Sequence, residues 1–292
     1  MPDTHFVIVH GLASKPPEAV LAERYHRFLQ ESVRKPIATD RCHTVYWADL
    51  MGYVPPDGPE KDEFSDEGPN FEPYSFIEQF RFFLRGSVRT NFTTVVERSL
   101  NDALNSPTLD ETRVRVLLES IPEQLAGGPA TLVYSRFLPD MHRYFFGDFR
   151  ATVQDRLRES LDSIPTGDRV CLIAHSMGSI VALDTLLGNT RDVDTLITIG
   201  SPLGISVVQE HLKITPSTKD KLGSKIGQWY NLYDRLDIVA LDSDLQDDFD
   251  PLPILDVRVR NEFVTKDGER NHHKSYGYLR SPELGEIVRN LA

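Results

Sequence analysis

The chain has 292 residues, which is enough for one large α/β domain or for one domain that carries a sizeable insertion. Its composition, 40% hydrophobic and 26% charged, is ordinary for a globular protein. Acidic residues outnumber basic residues by 44 to 32, and the net charge of -12 repels phosphate backbones, so we expect no nucleic-acid partner.

Membrane and secretory signals are weak throughout the sequence. No apolar run approaches the roughly 20 residues of a spanning helix, so we expect no integral membrane segment. The N-terminus lacks the basic start and the long apolar core of a signal peptide. The two cysteines, Cys42 and Cys171, are interpreted as reduced thiols. These features predict a cytoplasmic protein.

Short apolar runs alternate with helical patterns at both ends of the chain. The first strand is predicted at 5–9, and the apolar spacing from Pro17 to Arg34 is helical. Further strands are predicted at 44–47, 169–174, 195–199, 228–233 and 254–259. Short apolar strands separated by helices are typical of a parallel sheet that is covered on both faces. The sequence therefore predicts an α/β fold.

The middle of the chain has a different character. Residues 55–73 are rich in Pro, Gly, Asp and Glu, and the stretches that follow are helical in periodicity. We interpret approximately 51–140 as a helical cap inserted within a single domain, 1–292, because a linker is visible at only one end. Its aromatic side chains either line an apolar pocket for a ligand or form a satellite core. They include Phe76, Phe80, Phe82, Phe83 and Tyr144.

The most informative motif is Ala174-His-Ser-Met-Gly178, which follows an apolar strand and leads directly into a helical pattern. A nucleophile elbow needs this arrangement, because its serine occupies a strained turn with small residues two positions away on either side. The N–H of Met177 would lie at the helix N-terminus, where an oxyanion is stabilised. We expect Ser176 to be a nucleophile; the alternative is an ordinary strand–helix turn.

The elbow and its context resemble the α/β-hydrolase superfamily, and particularly its lipase- and esterase-like branch. The usual motif has glycine at the first position, where this chain has Ala174, as some small bacterial lipases do. The strand that ends in His10-Gly11 also matches the superfamily. The resemblance implies an α/β-hydrolase fold with a helical cap, and it implies the N–H of Leu12 as a second oxyanion donor beside Met177. His10 is interpreted as a structural hydrogen-bonding residue.

The resemblance also implies the partners of the nucleophile. Asp237 matches the acid loop of the family, although Asp234 could serve instead or could form a turn through its own backbone. His273 lies four residues before Gly277-Tyr-Leu279, a spacing found in related hydrolases, and is the expected base. His272 is expected to be a surface neighbour.

The implied reaction is two-step acyl transfer by Ser176, with His273 as base and Asp237 as the orienting acid. We expect a small-molecule ester or a lipid-like substrate, and neither a cofactor nor a metal. Amide, peptide or thioester cleavage on the same triad stays open, as does a non-catalytic binding protein with this fold. The oligomeric state is not predicted.

Other polar groups are interpreted as structural. Ser201 and Gly204 follow a strand and are expected to shape the floor of the pocket. Asp140 and His142 lack a ligand set with recognised metal spacing. The acidic cluster at 242–250 lacks the pattern of a calcium loop and is interpreted as a solvated loop.

Overall fold

The computed structural model describes residues 2–12, 15–52, 98, 101–102, 104–105, 139–237, 239–240, 244–264 and 270–291. Most of the predicted insertion at 51–140 lies outside the described residues. The same holds for four of its aromatic residues, Phe76, Phe80, Phe82 and Phe83. The proposal that they belong to a cap therefore stays a prediction.

The described chain alternates strands and helices. The strands are β1 Thr4–Val9, β2 Cys42–Val45, β3 Arg169–His175, β4 Val193–Ile199, β5 Ile226–Tyr233 and β6 Ile254–Arg258. The helices are α1 Glu18–Val33, α2 Arg150–Asp162, α3 Met177–Leu186, α4 Ser206–His211, α5 Pro216–Lys225, α6 Leu245–Asp248, α7 Ser275–Leu279 and α8 Pro282–Leu291. The other described elements are two 3-10 turns, Thr39–Arg41 and Ala48–Met51, a helical stretch at 139–146, and helical residues at 98, 101–102 and 104.

The six strands form one parallel sheet in the order β2-β1-β3-β4-β5-β6. The predicted α/β fold with a mostly parallel sheet is therefore confirmed, and the strand ends differ from the prediction by two residues or fewer. β2 differs at both ends, because it runs from Cys42 to Val45 whereas the prediction ran from 44 to 47. Trp47 lies beyond the end of this strand, and its ring stacks on that of His10 with the centroids 4.8 Å apart.

The sheet has a switch point between β1 and β3. The chain passes from β1 to β2 on one side, and then returns to place β3 on the other side of β1. Val9 pairs with Ala174, so the carboxyl ends of β1 and β3 lie side by side. Crevices at such reversals are where open α/β sheets bind their ligands.

The two faces of the sheet bury separate apolar clusters. Alternate residues of a strand point to opposite faces, so Val7 and Val9 face α2 and α3 while Phe6 and Ile8 face α1 and α8. Every residue of α3 is buried, as expected for a helix that is apolar on all sides. No helix in the described ranges is both long and apolar enough to cross a membrane.

Tyr144, the member of the predicted aromatic set that lies within the described residues, belongs to the core. Its side chain is fully buried, and its hydroxyl donates to Asp184 Oδ2 at 2.7 Å. Arg150 donates to both oxygens of the same carboxylate, at 2.7 Å each. This network joins the helical stretch 139–146 and α2 to the helix that follows the elbow.

Candidate active site

Ser176 occupies a strained turn between β3 and α3. Its φ of 53° and ψ of -128° lie in a region that side-chain-bearing residues rarely adopt, at a typical cost of about 1–3 kcal/mol. The turn is held by hydrogen bonds: the Ser176 N–H donates to the carbonyl of Ile199 at 3.0 Å, and the Ser179 N–H donates to the carbonyl of Ser176 at 2.9 Å. Strain of this kind is held only where surrounding structure fixes it.

Two glycines allow the elbow to pack against the end of β1. A Cβ on Gly178 would lie 2.6 Å from the carbonyl oxygen of His10 and 2.7 Å from that of Val9. A Cβ on Gly11 would lie 2.7 Å from the Cβ of Ser176. These contacts are with backbone or with a buried side chain, so no larger residue fits at either position without movement.

Three side chains from separate loops form one hydrogen-bonded chain. The Ser176 hydroxyl lies 2.9 Å from His273 Nε2, and His273 Nδ1 lies 2.9 Å from each carboxylate oxygen of Asp237. With the Nδ1 proton on the carboxylate side, Nε2 is free to accept the hydroxyl proton. Ser176 follows β3, Asp237 follows β5 and His273 precedes α7. All three side chains are buried.

The surroundings of Asp237 favour its ionised form. Burial by itself raises the pKa of this carboxyl, but the charge and hydrogen bond of His273 and donation by other groups outweigh burial and lower the pKa below 3.8. Those donors are the N–H of Val239 at 2.9 Å and the hydroxyl of Tyr278 at 2.8 Å. Asp237 is therefore an anion at neutral pH.

The expectation that His272 is a surface neighbour is wrong. His272 is buried, and its Nδ1 lies 3.0 Å from Asp234 Oδ2. Asp234 also accepts the N–H of Leu236 at 2.8 Å, which is the predicted turn, and the N–H of Asn261 at 2.7 Å. The two consecutive histidines thus bind two different carboxylates, and only His273 is within hydrogen-bond distance of Ser176.

The loop after β1 carries the second expected oxyanion donor, Leu12. His10 Nε2 accepts the N–H of Trp47 at 2.9 Å, so the proton is on Nδ1, which donates to the carbonyl of Gly11 at 2.7 Å. The N–H and C=O of a trans peptide point in opposite directions, so this bond also fixes the direction of the Leu12 N–H. The carbonyl of Leu12 accepts from the buried ammonium of Lys15 at 2.6 Å. Met177, the other expected donor, is the first residue of α3.

Several contributors to this region were missed by sequence reasoning. Tyr278 belongs to the Gly277-Tyr-Leu279 motif, but its hydrogen bond to Asp237 joins residues 41 positions apart and was not predicted. The buried Asn261 follows β6, and no sequence motif around it indicates that it belongs to the site. Ser201, in contrast, was expected to shape the pocket floor, and its hydroxyl is hydrogen-bonded to Ser179 Oγ at 2.8 Å beneath the elbow. Among the residues that the structure describes, no group of three or more His, Cys, Asp or Glu side chains could hold a metal.

A parallel sheet with flanking helices, a switch point and a serine on the strand-to-helix turn defines an α/β-hydrolase fold. Residues 151–234 match the family described as PGAP1-like alpha/beta domain. The match runs from α2 to just past β5, so it includes Ser176 and ends before Asp237 and His273. Over that segment the chain is therefore similar to a lipase- and esterase-like family of α/β hydrolases. A search of curated proteins finds no match.

Proposed function

We propose that the protein is a serine hydrolase that cleaves carboxylic esters through an acyl-enzyme. The observation that carries this proposal is the buried hydrogen-bonded chain from Asp237 through His273 to the hydroxyl of Ser176. Such a chain gives the serine a base at Nε2, and gives that base a carboxylate that fixes its tautomer. The match to a lipase- and esterase-like family supports the same class of reaction.

The proposed reaction has two halves. Ser176 Oγ attacks the ester carbonyl while its proton passes to His273 Nε2, and Asp237 stabilises the imidazolium. The N–H groups of Met177 and Leu12 hold the oxyanion, each contributing about 3 kcal/mol to the barrier reduction. The alkoxide then leaves with the proton from His273. Water then attacks the acyl-enzyme carbonyl while its proton passes to His273. His273 returns the proton to Ser176 Oγ, and the acid is released.

A small-molecule or lipid-like ester is the proposed substrate. The apolar cluster that contains the elbow helix also contains Leu12, Met177, Leu203 and Ile205. These apolar surroundings suit an apolar acyl group better than a charged one. The reaction needs no cofactor, because the side chains supply the nucleophile, the base and the electrostatic stabilisation. The proposed compartment is the cytoplasm, which fits the two free thiols.

The test is labelling by a fluorophosphonate probe together with turnover of a panel of esters. The wild type is expected to label at one serine and to hydrolyse esters, whereas Ser176→Ala is expected to lose both activities and keep its fold. Ser224→Ala, at an exposed position on α5, is the matched control and should behave as wild type. Stoichiometric labelling of the Ser176→Ala protein at another serine would overturn the proposal.

The same panel separates the other candidate functions. Matched amides and thioesters would show whether the proposed triad prefers a different acyl compound. A non-catalytic binding protein would neither label nor turn over any of them.

A further inference from the structure

The segment that carries His273 is held by its backbone as well as by its imidazole. The carbonyl oxygens of His272 and Lys274 both accept from Asn261 Nδ2, at 3.0 and 2.9 Å. The carbonyl oxygen of His273 lies 2.8 Å from His175 Nε2. Three consecutive carbonyls are therefore bound by two buried side chains that belong to other parts of the fold.

Asn261 is fixed in an orientation that makes it a double donor. Its Oδ1 accepts the N–H of Phe263 at 3.2 Å, so its amide nitrogen must face the two carbonyls. Its own main-chain N–H donates to Asp234 Oδ2 at 2.7 Å. The residue is 0% exposed and packs directly against Gly277 of α7, so it has no room to rotate.

His175 links the residue before the nucleophile to the residue that activates it. Because its Nε2 faces a carbonyl oxygen, that nitrogen carries a proton and donates it. The centroids of the His175 and His273 rings lie 4.8 Å apart. This hydrogen bond therefore joins the elbow to the histidine loop in addition to the Ser176–His273 contact.

We propose that Asn261 and His175 are positioning residues that place the imidazole of His273 by fixing its backbone; this rests on the function proposed above. Asp237 fixes the rotation of the His273 ring, but it does not fix the distance between the loop that carries His273 and the turn at Ser176. Catalysis is sensitive to that distance, since a misplacement of 1 Å can reduce turnover by about 10²-fold. Neither residue touches the substrate or the reacting atoms in this proposal.

The experiment compares variants that keep or remove the donors. Asn261→Asp has nearly the same shape but presents an oxygen to both carbonyls, and His175→Met fills similar space without a donor. We expect each to lower kcat by roughly 10- to 100-fold while KM changes little. His175→Gln places an amide nitrogen at the position of Nε2 and should retain more of kcat than His175→Met. Asn189→Asp, at an exposed position, controls for the added charge.

A second measurement does not depend on turnover. The proton between His273 Nδ1 and Asp237 gives a low-field NMR resonance, which should weaken or shift in Asn261→Asp and in His175→Met. If Asn261→Asp does not fold, the comparison of the two His175 variants decides alone. Wild-type kcat and an unchanged resonance in folded variants would overturn this proposal. An inactive wild type would instead overturn the proposed function.

Discussion

Two carboxylates stand three positions apart after β5, and each binds one of two consecutive histidines. Asp237 lies on the hydrogen-bonded chain to Ser176, whereas Asp234 binds His272 and the loops around it. We expect Asp237→Asn to reduce kcat by about 10⁴-fold, because an amide favours the wrong tautomer of His273. Asp234→Asn keeps one carbonyl oxygen as an acceptor and should cost far less. A reversal of this ranking in steady-state kinetics would assign the acid to Asp234.

The lowered pKa of Asp237 also makes a prediction about stability. A carboxyl whose pKa falls on folding stabilises the native state above its ordinary value of 3.8, and this contribution is lost as the pH falls through the lower, folded value. Asp237→Asn has no such group. Thermal melts from about pH 5 downward should therefore show a steeper loss of Tm for the wild type than for the variant. Parallel pH profiles would contradict the assignment.

The two thiols are expected to be inert in the folded protein. Burial raises the pKa of Cys42 to about 12 and raises that of the fully buried Cys171 further, so neither forms a thiolate near neutral pH. Alkylation at pH 8 should be slow until denaturant is added, and then both cysteines should react. Fast reaction of the partly exposed Cys42 in the native protein would contradict the raised pKa of its thiol.

At the scale of elements, the contact between α3 and β1 leaves little room for added volume. We expect Gly178→Ala to destabilise the protein by roughly 1–3 kcal/mol, since the new methyl meets two backbone carbonyls. Gly223→Ala on α5 is the matched control: its methyl meets only a flexible side-chain atom of Leu252, and alanine favours the helix by about 0.5–1 kcal/mol. Urea unfolding of the two variants measures the difference. Equal midpoints would show that the elbow can move away from β1.

The elements themselves were largely predictable from the sequence, for a physical reason. Strands of a parallel sheet are buried on both faces, so 6–9 and 170–174 read as continuous apolar runs. The elbow is a local motif, because its geometry depends on five neighbouring residues. The burial of His272 was not predictable, since its carboxylate partner is 38 positions away. The two hydrogen bonds from Asn261 to the histidine loop likewise depend on how β6 lies relative to α7.

At the scale of the whole molecule, the site is built from contacts between distant parts of the chain. Ser176, Asp237 and His273 follow β3, β5 and β6 in turn, and the switch point between β1 and β3 brings the Leu12 loop beside the elbow. The buried Asp184 extends this connection to Tyr144 and Arg150. A substitution in one of these distant segments should therefore displace the elbow through the residues packed between them, even where the two are not in direct contact.

The distance of 97 positions between Ser176 and His273 has a consequence for the newly made protein. A ribosome that adds about 5–20 residues per second needs roughly 5–20 s to travel from one residue to the other. During that time the emerging polypeptide carries Ser176 without His273, and for much of it without Asp237. The hydroxyl is then no more reactive than that of an ordinary serine. The proposed esterase chemistry is thus withheld from the nascent chain until the histidine loop has been translated and has docked.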